Sequence, residues 1–164
     1  MHMVYVIGVM FVIPAICVAI DYLRKPKEDF LFLFCKWFVF WVIGIRGITA
    51  GLMQTLNPAY TAWLLQTGTD NYVIIRELGG ANLSFGVLGI ISMFSHNYRK
   101  TAALGYAIFL LVASVIHISR LSVIELSEIT SLVGDLFVVA IAVMVFAVDK
   151  KRNGKIDSKA FFEK

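Results

Sequence analysis

The sequence predicts an all-α membrane bundle of five transmembrane helices, and three observations carry that prediction. Hydrophobic residues make up 59% of the 164 and charged residues only 16%, whereas a soluble domain carries about 45–50% apolar and about 25% charged residues. The mean hydropathy of +0.81 is concentrated in runs near the length that spans a bilayer, about 20 residues. Lys and Arg gather in alternate connections: Arg24, Lys25 and Lys27 in the first, none in the second, Arg99 and Lys100 in the third, only Arg120 in the fourth. The tail then holds Lys150, Lys151, Arg152, Lys155, Lys159 and Lys164. Cytoplasmic connections are the ones enriched in Lys and Arg, so the N-terminus is expected outside and the C-terminus in the cytoplasm. The net charge of +4 thus reads as topology, with no nucleic acid among the partners. The expectation is a single multi-pass bundle of the cell membrane over residues 1–150, with helices at about 3–23, 30–56, 72–94, 101–118 and 124–148, and a basic cytoplasmic tail over 151–164.

The first segment lacks a basic start and a small-residue cleavage site, so it reads as a retained helix rather than a signal peptide. Pro14 near its middle removes a backbone donor and kinks it. Asp21 lies near its end, within reach of the interface. The second segment opens aromatic, and Lys36 is close enough to its start to snorkel back to the basic side. Arg46 is deeper, and Gly44, Gly47, Ala50 and Gly51 around it form a small-residue face suited to close helix contact. Asn57 and Pro58 then start a short interfacial helix, Asn57 as the cap and Pro58 in the first turn, with Tyr60 and Trp63 at headgroup level.

The third segment carries Arg76-Glu77-Leu78-Gly79-Gly80-Ala81-Asn82-Leu83-Ser84-Phe85-Gly86-Val87-Leu88-Gly89. In water this would be a poor helix, since each interior Gly costs about 1 kcal/mol relative to Ala. Lipid satisfies no backbone groups, so there it must be helical. Gly79, Asn82, Gly86 and Gly89 recur at three and four residues and share one face; Glu77, Gly80, Ala81 and Ser84 form a second. Such a helix is expected to contact two neighbours and to be the one the others pack around. Asn82-Leu83-Ser84 is a formal glycosylation sequon but lies at bilayer depth. The fourth segment ends with His117 and Arg120 on one side. In the fifth, Glu125, Glu128, Leu132 and Asp135 fall within one stripe of roughly 80° if the helix starts early.

Ionisable groups therefore collect in the outer half: Arg46, Arg76, Glu77, His117, Arg120, Glu125, Glu128 and Asp135. A charge at mid-bilayer costs about 2.5–3.5 kcal/mol, so these groups should face inward and pair, Arg46 with Glu77 first among them. Either the pair only fixes helix register, or the cluster forms an outward-opening polar pocket. His117 is the group that titrates near neutral pH. Cys17 and Cys35 sit on different segments with no metal-ligand spacing, and neither a disulfide nor a metal site is expected. No phosphate loop, dinucleotide fingerprint, haem-attachment, HExxH or GxSxG motif occurs. No catalytic residue is assigned, and the composition names no cofactor.

Glu77-Leu78-Gly79-Gly80-Ala81-Asn82-Leu83-Ser84-Phe85-Gly86, followed by Arg99-Lys100-Thr101-Ala102-Ala103-Leu104 and preceded by Gly44-Ile45-Arg46-Gly47 with Gly51, resembles the DoxX-like superfamily of small four-helix membrane proteins. The resemblance covers about 30–148. It implies a compact core of helices two to five with the first helix as an addition, and a link to quinone or redox chemistry.

The expected role is that of a non-catalytic membrane protein. It would bind a lipid-like or quinone-like small molecule, or a partner subunit or second copy, through Arg46, Glu77, Asn82, His117 and Asp135. Arg46 and Glu77 would orient a polar head, Asn82 would hydrogen-bond, and the glycines would shape the cleft. The rivals are a membrane subunit of a quinone-linked oxidoreductase and a small proton- or ion-coupled transporter working through the acidic stripe.

Overall fold

The computed structural model describes residues 2–65, 67–119 and 126–162, and among these the chain is all helix with short connections. Six helices follow in order. Helix α1 (2–24) runs as an α-helix through His2–Ile7, widens into a π-helix at Gly8–Val12, and continues as an α-helix over Ile13–Arg24. Helix α2, Phe30–Leu56, contains a second π segment at Val39–Ile45. Helix α3 is the short Pro58–Leu64, and α4 is Tyr72–Ile91, entered through a 3₁₀ turn at Thr69–Asn71. Helices α5 (His96–Ser119) and α6 (Leu126–Phe162) complete the chain.

Local chemistry explains the ends. Asp29 caps α2, accepting from the backbone N–H of Leu31 at 2.8 Å, and Asn57 accepts from Tyr60 N–H at the start of α3, with Pro58 in the first turn. The π turn of α1 lies just ahead of Pro14, whose ring excludes a regular helical carbonyl below it. Widening the turn absorbs that clash, so the expected break appears as a π segment. The π segment of α2 ends directly before Arg46. Under-winding there rotates everything that follows relative to the aromatic start of the helix, and so sets which way Arg46 faces.

Four helices are long and apolar enough to cross a membrane: Phe30–Leu56, Thr69–Ile91, His96–Ser119 and Ile129–Lys151. Their outward faces carry large apolar side chains, among them Val73 and Ile74 on α4, Ile108, Val112 and Val115 on α5, and Val133 and Val143 on α6. A surface so apolar is stable only against lipid, so this is a membrane protein in a bilayer environment. The first predicted segment is helical, and its outward side chains Ile7, Phe11, Ile16 and Ile20 are exposed as well. Helix α6 has 37 residues, about 55 Å at 1.5 Å per residue, and carries the helix from the last apolar stretch into the basic tail.

Helix α2 is the hub, not the glycine-rich α4. It meets α1, α4, α5 and α6, and its middle residues Phe38, Val39, Val42 and Ile43 belong to the core with Met10, Ala103, Tyr106, Val138 and Ile141. The reason is composition. Helix α2 has an apolar side chain to offer in every direction at mid-depth, while α4 has one glycine face and exposes the opposite side. That glycine face does what its spacing predicts. Gly44, Gly47 and Gly51 of α2 lie against Gly89, Gly86 and Gly79 of α4, so closely that a Cβ on Gly89 would stand 2.4 Å from the backbone nitrogen of Gly44 and one on Gly86 2.6 Å from that of Ile48. The second face behaves otherwise: Glu77, Gly80 and Ser84 are exposed, and nothing lies within 4 Å of a Cβ built on Gly80. Helix α4 reaches its second neighbour, α5, through Phe85, whose ring packs onto Gly105, and through Asn82.

Candidate functional site

A polar layer crosses the interior of the bundle at the level of Arg46. Arg46 Nη2 donates to Asp135 Oδ1 at 2.7 Å, joining α2 to α6. Asp135 is buried to 4% exposure. Gly134 beside it leaves the space in which Arg46 and Met10 approach: a Cβ there would lie 3.4 Å from Met10 Sδ and 3.9 Å from Arg46 Nη2. Asn82 on α4 is equally buried and joins three helices. Its Nδ2 donates to Gln54 Oε1 at 2.8 Å, and its Oδ1 accepts from the Tyr106 hydroxyl of α5 at 3.0 Å. Tyr106 is within electrostatic range of both Arg46 and Asp135. Helix α1 closes the layer on one side. The Tyr5 hydroxyl bonds Thr49 Oγ1, less than one turn from Arg46, while Thr49 also donates back to the Ile45 carbonyl at 2.9 Å.

Of the five residues predicted from the sequence, Arg46, Asn82 and Asp135 form this layer, and His117 stands half-buried near the end of α5. Glu77 does not take part. Its side chain is exposed, so the expected Arg46–Glu77 pair is replaced by Arg46–Asp135. The cause is angular: at 100° per residue Glu77 is about 140° around α4 from Asn82, so a helix that turns Asn82 inward turns Glu77 out. Arg76 is exposed beside it. Of the predicted acidic stripe only Asp135 is described as a side chain; Arg120 and Glu125 lie outside the described residues, as does the side chain of Glu128.

Gln54, Tyr106, Tyr5 and Thr49 were not singled out from the sequence. Gln54 had a signal, since it continues the Gly47–Gly51 face by three residues. Tyr106 sits on the buried alanine face of α5 with Ala102, Ala103 and Ala107, where a hydroxyl requires a partner. The opposite, basic end of the bundle holds a second polar group that the sequence left at the interface. Asp21, buried, accepts from Lys36 at 2.9 Å and from Trp37 Nε1 at 3.1 Å, with Lys25 at 3.6 Å. On α5 and α6, His96 Nε2 and Lys100 Nζ meet Asp149 at 2.5 and 3.2 Å.

One feature of the layer is chemically incomplete. Arg46 Nη1 is buried and has no hydrogen-bond partner among the described residues, and neither has Trp41 Nε1 five residues earlier. A buried guanidinium N–H without an acceptor costs on the order of 1–3 kcal/mol or more, so the layer has donor capacity that an acceptor oxygen would fill.

A family model described as a family of unknown function (DUF6790) matches residues 4–155. The chain belongs to that family. The match takes in α1 and runs to the first residues of the tail, so α1 is part of the family's own unit, where the DoxX resemblance had made it an addition. Nothing in the match carries the DoxX likeness itself. No curated protein and no solved structure matches the chain.

Proposed function

We propose that this chain is a multi-pass protein of the cell membrane whose polar layer receives the acceptor head of an apolar molecule, lipid-like or quinone-like, in the outer half of the bundle. The observation that carries the reading is the Arg46 guanidinium. Asp135 holds one of its nitrogens and fixes its direction, while the other is buried with no acceptor among the described residues. A carbonyl, hydroxyl or anionic oxygen placed there gains a charge-assisted hydrogen bond, stronger than a neutral one. The apolar remainder of the ligand would lie among the outward side chains of the helices. Asn82, Gln54 and Tyr106 already satisfy one another, and their part is to hold the floor of the site rigid. The same reading takes α1 as a fifth crossing with the N-terminus outside, supported by its exposed apolar side chains and by the alternation of basic connections.

The test uses Trp41, whose indole nitrogen is buried five residues before Arg46 on α2. Titration of the detergent-purified protein with decyl-benzoquinone should quench tryptophan fluorescence saturably. Arg46→Gln should weaken the apparent affinity by about tenfold or more, the loss of one charge-assisted hydrogen bond, while Glu77→Gln should bind as the parent does. Mass spectrometry of the lipid extract separates a quinone from a phospholipid as the native occupant. Quenching that rises linearly with probe and is unchanged in Arg46→Gln removes the proposal.

A further inference from the structure

A cavity lies at the basic end of the bundle, away along α2 from the Arg46 layer. Its volume is about 250 Å³, room for about eight waters at ~30 Å³ each, which is the scale of a phosphate with a small alcohol attached. It opens between the connection that follows α1, the first turns of α2, and the turn joining α4 to α5. Lys25, Lys36 and Arg99 stand on its wall, with Glu28 the one carboxylate there. Asp21 and Asp149 lie beside the wall, bonded to Lys36 and to His96.

Arg99 is the fixed element. It is only 3% exposed, its guanidinium lies 4.9 Å over the ring of Phe32, and Nη2 donates to the Ser92 carbonyl at 3.3 Å. The turn that carries that carbonyl is itself held, with Ser92 N–H on Leu88 and Phe94 N–H on Ile91. A buried, planar cation seated on the Phe32 ring and bonded to Ser92 is held in place on the cavity wall at little entropic cost, and such an arrangement suits a phosphate oxygen. Lys25 stands at the mouth, its side chain 56% exposed and 3.6 Å from Asp21 Oδ1. The rim is apolar on one side, where Phe94 projects at 86% exposure.

We infer that this cavity binds the phosphate group of an ester, with Arg99 and Lys36 as the inner contacts and Lys25 as the outer one. Basic pockets between helix ends at the cytoplasmic face are where anionic lipid headgroups dock, and Phe94 provides the surface along which an acyl chain would leave. A soluble phosphate monoester has the same chemistry at the inner contacts but makes no use of Phe94.

The experiment measures the thermal midpoint and native mass spectrum of the whole chain in a mild detergent. The additions are phosphatidylglycerol, phosphatidylcholine and glycerol 3-phosphate, each alone. The inference expects phosphatidylglycerol to raise the midpoint and appear as a bound mass, and phosphatidylcholine to do neither. Lys25→Gln, at an exposed site that does not threaten folding, should weaken phosphatidylglycerol about fivefold, the equivalent of roughly 1 kcal/mol per cation at a membrane surface. Glu28→Gln should tighten it, because a competing carboxylate is gone. Arg99→Gln should abolish it. Saturable stabilisation by glycerol 3-phosphate, lost in the same variants, while phosphatidylglycerol has no effect, identifies the soluble ester as the source of the phosphate. Equal stabilisation by phosphatidylglycerol and phosphatidylcholine, or affinities for both phosphate probes that stay unchanged in Lys25→Gln and Glu28→Gln, overturns the inference.

Discussion

Removing either partner of Arg46–Asp135 strands a charge inside the bundle, and a buried ion left alone costs far more than the pair contributes. Asp135→Leu and Arg46→Leu should each lower stability in detergent by about 3 kcal/mol, while the double variant should be more stable than either single, because it buries no unpaired charge. Thermal unfolding of the three proteins measures this, and strictly additive losses would show that the two side chains are not coupled. Glu77→Gln, at an exposed position, should stay within about 0.5 kcal/mol of the parent. Arg46 was legible in the sequence as an inward charge because its depth and its small neighbours can both be read from one segment. Its partner was harder, since Asp135 lies 89 residues away and segments fix depth better than facing direction. The exclusion of Glu77 was nonetheless available. Asn82 and the three glycines define the inward face of α4, and Glu77 is well off it.

Between elements, the α2–α4 contact is made by glycine against glycine, and its strength depends on the missing side chains. Gly86→Ala or Gly89→Ala forces a methyl into backbone atoms below 3 Å. Either should lower stability by about 1–3 kcal/mol through overpacking. Gly80→Ala, three residues from the same helix centre, meets open space and should be neutral or stabilising by up to about 1 kcal/mol, since Ala is the better helix former. Unfolding midpoints of these single variants in one detergent separate the two behaviours, and equal losses at Gly80 and Gly86 would contradict the observed packing. Spacing alone grouped Gly79, Gly86 and Gly89 on one packed face, but it also led to the expectation of a second packed face at Gly80, which is exposed. It did not reveal the π segments at Gly8–Val12 and Val39–Ile45, because a widened turn is a response to Pro14 and to the packing around α2 rather than a pattern in residue types.

For the molecule as a whole, the distribution of charge and apolar surface leads to a topology that can be measured. With five crossings and the N-terminus outside, Thr69→Cys should react with an impermeant thiol reagent added to intact cells, and Lys27→Cys only after the membrane is opened. The background is low, since Cys35 is buried and Cys17 half-buried. Labelling of Lys27→Cys from outside would reverse the orientation, and labelling of both positions from one side would remove a crossing between them. In that topology the two polar regions would face opposite leaflets, the Arg46 layer in the outer half and the Arg99 cavity at the cytoplasmic surface.

By itself the sequence determined the membrane class, the helical segments, the basic end and the glycine face. Each of these follows from local composition or from a period of three to four residues, quantities that a single stretch of chain contains. The tertiary structure decided that α2 rather than α4 is the hub, that Arg46 is held by Asp135, that Tyr106 and Gln54 complete the layer with Asn82, and that Asp21 is buried with Lys36. Those outcomes depend on the rotation of each helix about its axis, which is set by contacts between segments far apart in the chain and by the under-wound turn ahead of Arg46.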